Sequence, residues 1–119
     1  MCYDNDWARD SEMTEIGDMV DAGAVAVSDD AFPIQSADLM RRVMEYSRGF
    51  DVPVLMHCED RSMTADAVMN EGIVATTHGL RAWPRQAEET MIWRNLLLAE
   101  LTGCRVHIQH VTTAGGIEA

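Results

Sequence analysis

Three short apolar runs alternate with helix-period segments along this chain, and each run ends in residues able to bind a metal. AVAVSDD (24–30) ends at Asp29 and Asp30, VPVLMH (52–57) ends at His57, and CRVHIQH (104–110) ends at His110. The first helical segment, SEMTEIGDMVDA (11–22), has Ser11 as its N-cap and Met13, Ile16, Met19 and Val20 at helical spacing; Gly23 stops it. Ser36 opens a second, SADLMRRVMEYSRGF, whose stripe is Leu39, Met40, Val43, Met44 and Tyr46. Gly49 and Pro53 bracket the turn into the second strand. Residues 61–85, punctuated by Gly72, Gly79 and Pro84, read as an irregular loop. A long helix, RQAEETMIWRNLLLAELTG, then runs to Gly103. This order predicts βαβ units and a parallel sheet, and the nearly continuous apolar strands predict cover on both sheet faces.

Composition narrows the function classes without naming a reaction. A chain of 119 residues is the size of one small domain, and its 47% hydrophobic content argues against disorder. The formal net charge of −11 argues against nucleic acid or an anionic membrane surface as a partner. No apolar run approaches the roughly 20 residues needed to span a bilayer, and MCYDNDWARD lacks a basic-then-apolar leader pattern. Cys2, Cys58 and Cys104 are odd in number and form no CxxC pair, which fits a reducing cytoplasmic setting. The Asp-rich start lacks an opening strand, and GGIEA reads as the first turn of a new helix, so an internal fragment is expected.

The strand ends carry the chemistry. In parallel α/β folds the carboxyl ends of the strands share one edge, so the Asp29–Asp30 pair, His57 and His110 are expected to converge there despite their separation in sequence. Each taken alone has a plain structural explanation. Asp at a strand end is ordinarily a turn or capping residue, which is the reading for Asp29. His107, three residues before His110, points to the opposite face and is read as structural, with a hydrogen bond in the sheet–helix layer. His78 is read as solvated, Cys58 as a small buried thiol, and Glu88, Glu89 and Glu100 as solvated helix faces. Glu59 and Asp60 are read as solvated, with support of His57 as the second possibility. The coincidence of three successive strands ending in ligand-type residues outweighs these separate explanations.

AGAVAVSDD, PVLMHCED, MNEG and LLLAELTG–RVHIQHVTTAGG, in this order, resemble the dihydroorotases, from the cyclic amidohydrolase branch of the amidohydrolase superfamily. The resemblance runs from about Glu15 to Ala119, and it is the combination of HCED, MNEG and HVTTAG that is specific. It implies a (β/α)8 TIM barrel of the metal-dependent hydrolase type, of which residues 1–119 would be a central fragment, roughly strands four to six with their helices. It implies reversible cyclisation of N-carbamoyl-L-aspartate to L-dihydroorotate in pyrimidine biosynthesis, with one or two Zn(2+) per subunit. Asp30 resembles the strand-four carboxylate, His57 the strand-five ligand and His110 the strand-six ligand. The family spacing to the HCED histidine selects Asp30 over Asp29.

One departure is Ala31, where the family commonly has Gly. The family's HxH pair of strand one, its nearby substrate-binding Arg and its strand-eight general acid/base Asp are absent from this sequence, so the fragment alone is expected to be inactive. The implied partners are a small-molecule substrate and either a second copy of the chain or aspartate transcarbamoylase. Allantoinases and hydantoinases are the nearest rivals, but usually carry lysine at the position of Asp30. A non-catalytic dihydroorotase-like scaffold for aspartate transcarbamoylase tends to lose metal ligands, whereas all three expected ones are present here. A flavodoxin-like binding domain would need a glycine-rich phosphate loop after its first strand, and SDDAFPIQ is not one.

Overall fold

The computed structural model describes residues 13–30 and 32–119. Ser11, Cys2 and Ala31, singled out above, lie outside the described residues. In chain order the elements are α1 (Ile16–Asp21), β1 (Val27–Ser28), α2 (Ala37–Gly49), β2 (Val54–Met56), α3 (Arg61–Thr64), β3 (Met69–Asn70), α4 (Ile73–His78), β4 (Ala82–Trp83), α5 (Gln86–Thr102), β5 (Val106–Ile108) and α6 (Ala114–Glu118).

Strands β1, β2 and β5 form one sheet in that order, and both pairings are parallel. Val27 pairs with Val54 and Val54 with Val106, while Leu55 stands between Ser28 and His107. The expected small α/β unit with parallel strands is therefore present. Alternation along β2 buries Val54 and Met56 completely or nearly so. They join Val27, Met40, Val43, Met44 and Ile92 in the layer between the sheet and helices α2 and α5. The opposite face, carrying Ser28, Leu55 and His107, is more open: His107 is exposed and Leu55 half-buried. Cover on both faces, expected from the apolar runs, thus extends to one face only. His107 lies on the uncovered side, not in the sheet–helix layer.

Helix α2 forms where its signals place it. The Ser36 side chain accepts a hydrogen bond from the Leu39 backbone N–H at 3.2 Å, and Asp38 adds negative charge to the first turn. Its buried stripe is Met40, Val43, Met44 and Ser47; Tyr46 sits beside the stripe, against Phe50 at a ring-centroid distance of 5.2 Å. Helix α5 ends at Gly103, whose φ of 67° is the left-handed conformation that closes helices and that side chains with a Cβ resist.

Residues 61–85 are not the irregular loop that their glycines and Pro84 imply. They hold two short helices and a parallel two-stranded ladder, with Met69 beside Ala82 and Asn70 beside Trp83. The elements there are too short to give a periodic signal, with strands of two residues each and helices of four and six. No described helix is long and apolar enough to cross a membrane.

Candidate metal centre

Strand alternation decides which strand-end residues face which way. Asp29 continues the parity of Val27, so its carboxylate turns into the protein, where the residue is 4% exposed. Its Oδ1 accepts from the His57 backbone N–H at 2.9 Å, and its Oδ2 accepts from the Ile34 N–H at 3.0 Å. Both oxygens are thereby committed to backbone, and Asp29 ties the end of β1 to the end of β2. Burial pushes its pKa up, against the pull of those two hydrogen bonds. Asp30 and His57 have the other parity and emerge on the open face.

The ligand atoms of Asp30, His57 and His110 all lie within 4.8 Å of one another. The two imidazoles meet edge to face, with His57 Nδ1 at 3.0 Å from His110 Nε2, and His110 Nε2 is 3.9 Å from Asp30 Oδ1. His110 reaches this position by breaking the strand rule. Alternation would aim it with Val106 and Ile108 toward the helices, but its φ of 36° turns the chain out of the extended conformation. A non-glycine residue held in the left-handed region costs roughly 1–2 kcal/mol, so neighbouring contacts must maintain it.

Glu59 supports His57 directly. Its Oε2 lies 2.9 Å from His57 Nε2, and its Oε1 accepts from the Thr64 hydroxyl. Burial raises the Glu59 pKa, but the Thr64 and His57 hydrogen bonds outweigh it and leave the carboxyl below its ordinary value. With Glu59 accepting the Nε2 proton, the Nδ1 lone pair of His57 is left facing Asp30 and His110. Glu59 is therefore not solvated, whereas Asp60 caps α3 by accepting from the Ser62 N–H at 2.9 Å.

Two imidazoles and a carboxylate make a donor set suited to zinc, whose bonds to nitrogen and oxygen are about 2.0–2.2 Å long. Cys58, next to His57, faces the helices. It accepts a long hydrogen bond of 3.5 Å from the Asn95 amide, and burial pushes its thiol up to about 11, so it stays protonated and packs.

A cleft of about 460 Å3 opens beside His57 and His110. Asn70, Glu71, Trp83, Arg85 and Glu88 form its far wall. Asn70 and Glu71 belong to the MNEG signature, and the length of 61–85 alone marks it as a candidate wall over the site, whereas Trp83 and Arg85 individually carry no motif or periodic mark. Glu88 and Glu89 also depart from the solvated-face reading. Glu88 binds the Thr112–Thr113 turn, and the Glu89 side chain is 17% exposed, with Arg85 at 3.9 Å. His78 and Glu100 are exposed, as expected.

A family model described as dihydro-orotase-like matches residues 8–115. The chain is 48% identical to a dihydroorotase of Caldanaerobacter subterraneus over 110 residues, covering 92% of this chain and 26% of that protein. It is 50% identical to a dihydroorotase of Pelotomaculum thermopropionicum over 110 residues, with the same coverage, and 50% identical to one of Endomicrobium trichonymphae over 107 residues, covering 90% of this chain and 25% of the relative. The chain thus spans about a quarter of the length of the curated relatives it matches. On this match the chain belongs to the dihydroorotase-like family.

Proposed function

We propose that Asp30, His57 and His110 are metal ligands of a dihydroorotase that interconverts N-carbamoyl-L-aspartate and L-dihydroorotate. The observation that carries this reading is the convergence of their donor atoms within 4.8 Å at the carboxyl ends of three adjacent parallel strands. On the same reading, β1, β2 and β5 are successive strands of a (β/α)8 barrel, α2 and α5 belong to its outer ring, and the open face bearing Leu55 and His107 lines the barrel interior. Residues 1–119 then form a central part of one barrel domain.

Bound by these three residues, zinc supplies Lewis-acid chemistry at the ring carbonyl and acidifies water towards a pKa of about 7. The protein groups prepare for that. Glu59 holds the His57 ring and its tautomer through Nε2, Asp29 fixes the His57 backbone, and Trp83 with the 69–85 excursion walls one side of the cleft from bulk water. The relatives named above are dihydroorotases, which favours this substrate over those of allantoinases and hydantoinases. Retention of all three donors favours a catalyst over a metal-free scaffold.

The test is made on the full-length protein. His57→Ala, His110→Ala and Asp30→Ala should each lower bound zinc and dihydroorotate hydrolysis by orders of magnitude. Normal zinc content and turnover in these variants would remove the assignment. Sedimentation of the same protein with and without aspartate transcarbamoylase reads the assembly that the resemblance implies.

A further inference from the structure

Glu88 has no part in the ligand set, yet its carboxylate is saturated. Oε1 accepts from the Thr113 N–H at 2.9 Å, the Thr113 hydroxyl at 2.8 Å and the Thr112 N–H at 3.0 Å. Oε2 accepts from the Thr112 hydroxyl at 2.5 Å and, at 3.1 Å, shares the Thr112 N–H. Two successive residues thus direct every backbone and hydroxyl donor they possess at one carboxylate on the first turn of α5. So many donors leave it poorly placed to serve as a base toward a substrate in the adjoining cleft.

The clamp sits immediately beyond His110. On the near side, the Gln109 N–H donates to the Met56 carbonyl at 3.0 Å and fixes the end of β5 in the sheet. On the far side, Glu88 fixes Thr112 and Thr113. His110 is the joint between two anchored ends, and it carries the left-handed φ of 36° that turns its ring toward His57. With the far anchor gone, the chain is free to relax toward an extended conformation, in which alternation swings the ring toward the helix layer.

We propose that Glu88 is a positioning residue for His110: by clamping the Thr112–Thr113 turn it holds the His110 backbone in the conformation that brings its imidazole to Asp30 and His57. The inference rests on the reading of His110 as a metal ligand. It assigns to Glu88 an effect on metal affinity through His110 rather than contact with metal or substrate.

The experiment uses the full-length protein, zinc alone as the probe in chelator competition, and urea unfolding of the metal-free form. Glu88→Ala should weaken zinc binding by about 10–100-fold, the range for residues that orient ligands from behind. Glu88→Gln should recover most of the affinity, because the amide oxygen still accepts from both backbone N–H groups and the Thr112 hydroxyl can turn to accept from the amide. On a His110→Ala background, Glu88→Ala should produce no further loss of zinc affinity, since the ligand it positions is gone. Should Glu88→Ala fail to fold, Thr112→Val must still weaken zinc binding by about threefold, the loss of one such hydrogen bond. Zinc affinity unchanged in Glu88→Ala or Thr112→Val, or an equal further loss on the His110→Ala background, overturns the inference while leaving the metal centre intact. A wild-type protein that binds no zinc overturns the metal reading and this inference with it.

Discussion

Adjacent aspartates at the end of β1 should separate cleanly into one that holds the fold and one that holds the metal. Asp29→Ala removes the acceptor for two N–H groups, Ile34 and His57, bonded at 3.0 and 2.9 Å. Ile34 is fully buried, so its N–H has no access to water after the substitution. Each orphaned buried donor costs about 1–3 kcal/mol, giving about 2–6 kcal/mol for the pair. Relief of the burial that pushes the Asp29 pKa up offsets part of this, which places the net loss in the lower half, about 2–4 kcal/mol. Asp29→Asn keeps one acceptor and sets an amide N–H against the other donor, so about half that loss is expected. Urea unfolding of the metal-free full-length protein measures it as a fall in midpoint at constant m-value. Asp30→Ala should do the reverse, costing less than about 1 kcal/mol of metal-free stability because the side chain is part-exposed, at 42%, rather than buried like that of Asp29, while zinc binding collapses. Equal stability losses for the two alanines, or an Asp29→Ala loss below about 0.5 kcal/mol, would refute the division of labour argued from strand parity.

Two further outcomes follow from the α5–α6 contact. Burial raises the Glu88 pKa, but hydrogen bonds from Thr112 and Thr113 outweigh it and leave it below 4.5. Its folded value lies below its unfolded one, so its stabilisation is fully present above pH 4.5 and fades as pH falls through the folded value. The stability difference between wild type and Glu88→Gln, followed by urea unfolding from about pH 7 to pH 3, should hold steady and then shrink below the ordinary carboxylate range; a difference that never changes with pH refutes this. Gly116 permits the close approach of α6: a Cβ there would lie 2.7 Å from Ile92 Cδ1, 2.8 Å from Val111 Cγ1 and 2.9 Å from Thr113 Oγ1. Gly116→Ala should therefore destabilise by about 1–3 kcal/mol and lower the melting temperature, and an unchanged melting temperature would show that these side chains yield freely.

Much of this architecture is legible in the sequence because it rests on signals of period and punctuation. Ser36, the Met40–Val43–Met44 stripe and Gly103 bound two helices without reference to the rest of the fold, and the apolar runs locate β1, β2 and β5 within a few residues. The 61–85 excursion is not legible, since two-residue strands and four- to six-residue helices have no room for a period, and their pairing is decided by tertiary contact. Helix α5 shows the same limit on its surface. Glu88, Glu89 and Glu100 look alike in sequence, yet only Glu100 is solvated, because burial of the other two depends on α6 and on the turn after His110.

The three strand-end donors reach one point by two different routes, and this difference explains why one of them needs outside help. Asp30 and His57 arrive by alternation: each stands one residue beyond a side chain turned into the core, Asp29 and Met56, so the pleat itself aims them at the open face. Their positions are as firm as the β1–β2 ladder, reinforced by Asp29 across it. His110 has the wrong parity. The chain corrects it with a single left-handed residue, and such a residue is stable only while the segments on either side are fixed. The ladder bond from Gln109 fixes one side, and the carboxylate of Glu88, on the first turn of α5 and 22 residues before His110 in the chain, fixes the other. On the proposed reading, one ligand of this strand-end site has its geometry set by a helix rather than by the sheet. Substitutions at the start of α5 should therefore act on the metal centre more strongly than their distance from it in sequence suggests.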